Sequence, residues 1–170
     1  MVSIPPYEKA LLGALAGMAA TMAMTAAMRR LHTRLPPHER YPLPPREIID
    51  STALASDERG ARTATLLAHF GYGGLTGALF AFIPAFRGSG IAYGLGIWAL
   101  SYLGWIPSAR ILAPAYRHPL RRNLLMIAAH AVWGLTLSKS LKELQSADDG
   151  AFARHHQEFR DPEEQIERGS

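Results

Sequence analysis

Apolar positions in this chain neither alternate nor form a narrow amphipathic stripe; they gather into four blocks, Ala10–Met28, Ala64–Phe86, Ser89–Ile106 and Leu124–Leu137. Of all the Lys, Arg, Asp and Glu residues, Arg87 alone falls inside these blocks or between the middle two. A hydrocarbon layer of about 30 Å is crossed by about 17–25 helical residues. The first three blocks are therefore long enough, and the fourth reaches both interfaces once Arg122, Asn123 and Ser138 are included. The pattern predicts an all-α integral membrane four-helix bundle over residues 1–144, with spans at about 10–28, 64–86, 89–106 and 123–138. A polar C-terminal tail follows over 145–170. Gly and Pro inside such segments are common in membrane helices and costly in soluble ones. A soluble bundle of helices apolar all round would need more polar covering than 170 residues supply.

An apolar content of 48% is ordinary, and only its distribution is informative. The net charge of +4 raises the question of nucleic acid, but the arginines sit in loops beside apolar blocks rather than on one amphipathic face. The lipid bilayer is the expected partner, and nucleic acid is not. A single lysine, Lys9, precedes the first block and Arg29-Arg30 follow it, the reverse of a cleavable signal, so the first helix is expected to be retained. With no cysteine, disulfide, thiolate and iron–sulfur chemistry are excluded.

An even number of spans puts both termini and the Arg87 turn on one face and two long loops on the other. The first loop, 29–63, carries five prolines between Pro36 and Pro45, which favour extended chain, and then a short interfacial helix over Arg46–Leu54. The second, 107–122, carries three prolines and four arginines. Together the loops hold eleven Arg against Lys9, Arg87, Lys139 and Lys142 near the spans on the other face, so the positive-inside rule places the long loops in the cytoplasm. Pro44, Pro45, Arg46, Arg110, Arg117, Arg121 and Arg122 are the candidates for headgroup or partner contact.

Small residues mark where spans touch. Gly13, Gly17, Thr21 and Thr25 fall four apart on the first helix, Gly73 and Gly77 then Ala81 and Ala85 on the second, and Gly90 and Gly94 on the third, with Gly104 near its end. In lipid, helices associate through close van der Waals contact and a few hydrogen bonds, so such strips are expected to pack the bundle, with a homo-oligomer or larger complex as the alternative.

The stretch LLAHFGYGGLTGALF, 66–80, holds one histidine, His69, and IAAHAVWGLTL, 127–137, holds His130. Each is followed at +3 by an aromatic, Tyr72 or Trp133, and at +4 by Gly73 or Gly134. Both helices start from the long-loop face, so the imidazoles are expected at similar depth, with the first helix pair echoed by the second. Three readings follow. Each neutral ring bonds a neighbouring backbone carbonyl, Tyr93, Tyr102 or Ser101, and locks helix contacts; the rings sense or relay protons; or they ligate one b-type haem. His32, His38 and His118 lie in the loops on the same face and are expected to be solvated.

The spans hold no Asp or Glu, and no serine, histidine and acid fall at a triad spacing. GYGGLTG is glycine-rich but lies mid-helix, without the strand-to-helix context of a phosphate loop. A transporter would need a broken helix at the midplane, whereas Pro84 and Pro107 fall at helix ends. Only Thr21, Thr25, Thr76, Tyr93, Ser101 and Tyr102 are available to line a polar lumen. No catalytic residue and no metal site is expected.

YPLPPRE after the first helix, AHFGYGGLTGALFA leading into YGLGIWALSYLGWIP, and AAHAVWG before a charged segment resemble the YagU-like inner-membrane proteins of bacteria. That family has no assigned function. The resemblance covers the chain to about Leu144, and its most specific parts are Pro44-Pro45-Arg46 and the helices of His69 and His130. It implies a multi-pass inner-membrane protein with a four-helix core and supplies no reaction. Members with basic termini would carry those termini in the cytoplasm, opposite to the charge count above, and the first loop here is shorter. The leading expectation is a non-enzymatic scaffold, small homo-oligomer or accessory subunit; the alternatives are a bis-histidine haem or pH-responsive protein and, more weakly, a small transporter or channel.

Overall fold

Helix formation follows the apolar blocks and overruns them wherever the flanking polar residues can cap or complement a helix end. A computed structural model describes residues 5–52, 57–83, 88–147 and 150, and over these the protein is all-α, without a strand. Helix α1, Pro6–His32, opens with proline in its first turn, where no N–H is required, and has Glu8 near its positive end and Arg29 and Arg30 near its negative end. Helix α2, Pro44–Thr52, starts two residues before the expected Arg46. Helix α3, Glu58–Phe80, begins six residues before the apolar block, because the Asp57 carboxylate accepts the Gly60 N–H at 2.7 Å and caps it there.

The third block departs from a straight span. Helix α4, Gly90–Ala99, is capped by the Ser89 hydroxyl and passes into a π-helical stretch, Leu100–Trp105, then a single turn, α5, Ile106–Ser108. Gly104 has non-helical angles, φ −106° and ψ −105°, so the expectation that breaks fall only at the terminal prolines is corrected: this helix is kinked at a glycine before Pro107 is reached. Helix α6, Leu120–Ala147, extends well past the expected 123–138 at both ends. The Arg87 turn, Pro84, Ala85, Leu54 and almost all of the C-terminal tail lie outside the described residues.

Helix α1 packs against both α3 and α6, and α6 against α4, giving the spatial order α3, α1, α6, α4. At the α1–α6 contact Ala16, Ala20, Ala129 and Leu137 are wholly buried. The expected small-residue strips are used inside the bundle. A Cβ on Gly17 would strike the Gly73 carbonyl oxygen, and Gly13 meets Gly77; a Cβ on Gly94 would strike the His130 carbonyl, and Gly90 meets Gly134. Thr21 lies against Gly73, and Thr25 donates to the Thr21 carbonyl at 2.7 Å. Each contact pairs ascending with descending numbers, so α1–α3 and α4–α6 are antiparallel. Two of these helices, α1 and α6, are long and apolar enough by length and composition to cross a membrane.

Candidate functional site

Helices α3 and α4 are not among the close-packed pairs and are joined mainly by side chains. The Tyr93 hydroxyl donates to the Thr76 carbonyl at 2.6 Å, and the Tyr72 hydroxyl lies 2.8 Å from the Ser101 hydroxyl. The space between them is a cavity of about 240 Å³ whose wall includes His69, Trp98, Tyr102, His130 and Trp133, with Pro44, Pro45 and Ile48 of α2 at its loop-side end. At its far end Phe80, Tyr93 and Trp133 form an aromatic ladder, with ring centroids 5.0 and 6.0 Å apart. The Trp133 indole N–H donates to the Thr21 hydroxyl at 3.1 Å, and that hydroxyl donates to the Gly17 carbonyl at 2.8 Å. Among the described residues no charged side chain lines the cavity.

Both histidines face this one space; His130 bonds a backbone carbonyl, as one expectation had it, but on its own helix, so that no helix contact is locked by it. His130 Nδ1 lies 2.8 Å from the Met126 carbonyl of its own helix. A carbonyl can only accept, so Nδ1 carries the proton, and the neutral ring has its lone pair on Nε2. The Nε2 atom of His69 and the indole N–H of Trp98 are buried without a hydrogen-bond partner. Nor do the two helices carry their histidines in the same register. The helix crossings match Gly17 on Gly73 with Gly94 on His130, so the structural counterpart of His130 is Gly73. His69 then stands four residues, about one turn, from that counterpart toward the start of α3. The histidine-to-glycine spacing repeats in the sequence, whereas register follows the glycines that touch, and α6 uses the His130 backbone where α3 uses Gly73.

The cavity lies below the about 300–1,000 Å³ usual for pockets that enclose drug-sized ligands. A macrocycle held between His69 and His130 would require the helices to part. Among the described residues no group of three or more His, Asp or Glu is placed to hold a metal ion. Of the remaining hydroxyls proposed for a lumen, Thr76 donates to the Tyr72 carbonyl at 2.7 Å and Ser101 is paired with Tyr72.

Over the loop-side end lies a built polar layer centred on Arg122, which the sequence suggested as a headgroup contact. It is only 2% exposed. Its guanidinium donates to the carbonyls of Tyr41 at 2.9 Å, Pro42 at 2.8 Å and Glu39 at 3.3 Å, reaches the Glu47 carboxylate at 3.5 Å, and covers the Tyr41 ring at 3.4 Å. The correction has a plain cause: an arginine at a helix start can turn inward when a proline-rich loop presents unpaired carbonyls. His118, expected to be solvated, is likewise engaged. Its Nε2 meets the Ala113 carbonyl at 3.2 Å, its Nδ1 meets the Tyr41 hydroxyl at 3.0 Å, and its ring stacks on Tyr102.

Arg46 is also spent within the chain, on Asp50 at 2.7 Å and, through both terminal nitrogens, on Glu58 at 2.8–3.0 Å. Hydrogen bonds from Arg46 and then Arg62 pull the Glu58 carboxyl down to about 2. The Glu47 carboxyl moves the other way. Burial raises it and Arg122 only partly offsets this, as a 3.5 Å contact allows. Pro44 is buried and Pro45 half-buried, whereas Arg110, Arg117 and Arg121 are exposed as a headgroup or partner contact requires.

Trp98 and Trp105 are wall residues that sequence reasoning missed; the available signal was that all three tryptophans sit in the third and fourth apolar blocks. Set against known protein families, curated proteins and solved structures, the chain has no match in any of the three comparisons.

Proposed function

We propose that the chain is a four-span protein of the bacterial inner membrane that carries out no bond-making chemistry and acts by holding helices in place, as a scaffold, a small homo-oligomer or an accessory subunit of a larger membrane complex. The observation behind this reading is an apolar girdle. Leu11, Leu15 and Met22 on α1, Leu67, Leu75 and Leu79 on α3, Leu100 and Leu103 beyond α4, and Leu124 and Leu135 on α6 are all 42–70% exposed. In water each Å² of such surface costs about 25 cal/mol, whereas in lipid that cost is absent. The run from Gly90 to Ser108 rises about 28 Å at helical pitch, enough for a span despite its kink. The resemblance to YagU-like proteins points the same way.

The glycine faces are consumed inside the bundle, so any partner must use other surfaces, such as the outer groove of α1 and α3 beside Met18, Phe70 and Gly71. A channel is disfavoured because Thr21, Thr25, Thr76 and Ser101 already have partners. The test is carbonate extraction of native membranes, followed by mass measurement in mild detergent. Retention in the pellet and a mass above one chain are expected; release into the supernatant would sink the membrane reading, and a bare monomer the assembly reading. The haem alternative forecasts a Soret band lost in His69→Ala and His130→Ala. We expect a colourless protein.

A further inference from the structure

The cavity has a mouth. Ala68, Tyr72 and Trp105 line it and are also exposed, Tyr72 by 38% and Trp105 by 43%, and they open between α3 and the π-helical stretch onto the surface that carries Leu67, Leu75 and Leu100. That surface is part of the girdle, so the inference rests on the membrane reading. The Tyr72–Ser101 hydrogen bond spans the gap, and the Tyr72 and Trp105 rings meet there with centroids 6.3 Å apart.

The wall specifies what fits. With no charged lining side chain among the described residues, a carboxylate, phosphate or ammonium would be desolvated without a counter-charge. Trp98, Tyr102, Trp105 and Trp133 offer aromatic faces, which favour a flat ring in offset contact. The buried indole N–H of Trp98 is a donor only, so it calls for an acceptor on the ligand. His130, with its proton fixed on Nδ1 by the Met126 carbonyl, presents a lone pair that calls for a donor, and His69 Nε2 serves as either according to tautomer. A volume of 240 Å³ is that of about eight waters in the liquid, room for one substituted ring whose tail trails through the mouth into lipid.

We propose that the cavity between α3 and α4 binds the head of a neutral, ring-bearing lipid with carbonyl or hydroxyl groups, of the quinone and quinol type, admitted sideways from the bilayer between Tyr72 and Trp105. Carbonyl oxygens accept from Trp98 and from His69 in its Nε2–H tautomer, and ring hydroxyls donate to His130. The site binds this headgroup; no electron transfer is assigned to it.

All three tryptophans of the chain line the cavity, so intrinsic fluorescence reports on it directly. The experiment titrates the full chain, in mild detergent, with a benzoquinone bearing an alkyl tail, and repeats this with a brominated fatty acid of similar tail length. Saturable quenching at one quinone per chain is expected, with quenching by the bromolipid that rises without saturating. Ala68→Phe fills the mouth and should abolish saturation, while Leu67→Phe, on the outward face of the same helix, leaves it intact. His69→Leu removes one hydrogen bond at nearly constant volume and should weaken binding about fivefold; should Ala68→Phe fail to fold, this variant carries the test. Quenching that tracks only the quinone content of the micelle, equal affinity in His69→Leu, or a saturable bromolipid signal that the quinone cannot displace would overturn the site. Carbonate extraction separates the two readings: a chain held in the membrane with linear quenching loses the site and keeps the membrane assignment.

Discussion

Arg122 illustrates how a single residue can be read correctly for charge and wrongly for role. Its three carbonyl partners lie 80–83 residues away, in a loop whose prolines leave backbone acceptors without intrinsic partners, so nothing local to Leu120-Arg121-Arg122 announces the contact. Removing the guanidinium leaves those acceptors and the half-buried Glu47 uncompensated. Arg122→Met should therefore lower stability by about 3 kcal/mol or more, read as a fall in melting temperature in detergent with new proteolysis in the 37–47 loop. Arg122→Lys should rescue little of it, since a single ammonium cannot fork across two carbonyls. The glycines, by contrast, were legible, because spacing by four puts small residues on one helix face whatever the partner. What spacing could not supply was the register. Gly17→Ala should push α1 off the Gly73 carbonyl and cost about 1–3 kcal/mol. Gly96→Ala, with open space around its Cβ position, should gain about 0.5–1 kcal/mol from helix propensity. Thermal melts of the two variants side by side check both signs.

At the scale of elements, the apolar blocks located the long helices, and capping residues decided where they ended. Asp57 and Glu58 are polar and read as loop, yet they start α3 and tie it to α2 through Arg46. The kink at Gly104 was not legible, because a glycine in an apolar run is equally at home in a straight membrane helix. The α2–α3 tie has a pH signature that follows from Glu58. Its carboxyl is held below the ordinary value of 4.5, at about 2, so its contribution to stability is fully present above about pH 4.5 and is lost as pH falls toward 2. Glu47 has the opposite sign. Its carboxyl is raised by burial, so the folded state favours the protonated form and stability declines as pH rises above 4.5. Wild-type melts between pH 5 and 2 should show a progressive loss that is absent in Glu58→Gln. If the variant and wild type fall together, α2 is not held to α3 by this carboxylate.

At the scale of the whole molecule, leucines such as Leu11, Leu67, Leu75 and Leu100 are exposed around the helices while Leu125, Leu137 and Leu141 fill the core, and the polar contacts gather at the loop-side end and in the cavity. That arrangement was largely readable from the four uncharged blocks, since a chain of 170 residues with such helices has too little polar surface to cover them. On the four-span reading proposed above, orientation is the remaining global property, and the fold sharpens the charge argument for it. Of the eleven loop arginines, Arg46, Arg62 and Arg122 form ion pairs with Glu58, Asp50 or Glu47, which leaves eight without an acidic partner among the described residues. The opposite face offers Lys9, Lys139 and Lys142 among the described residues. Translocating eight unneutralised guanidinium groups against the membrane potential costs about 2.3 kcal/mol per charge per 100 mV, so the loops should stay in the cytoplasm and both termini lie outside. The chain has no cysteine, so single thiols report position without background. In intact spheroplasts an impermeant maleimide should label Lys9→Cys and leave Arg110→Cys untouched until the cells are broken. Labelling of Arg110→Cys in intact cells would mean that the orientation follows the basic-termini pattern of the YagU-like proteins and that loop arginines do not set it.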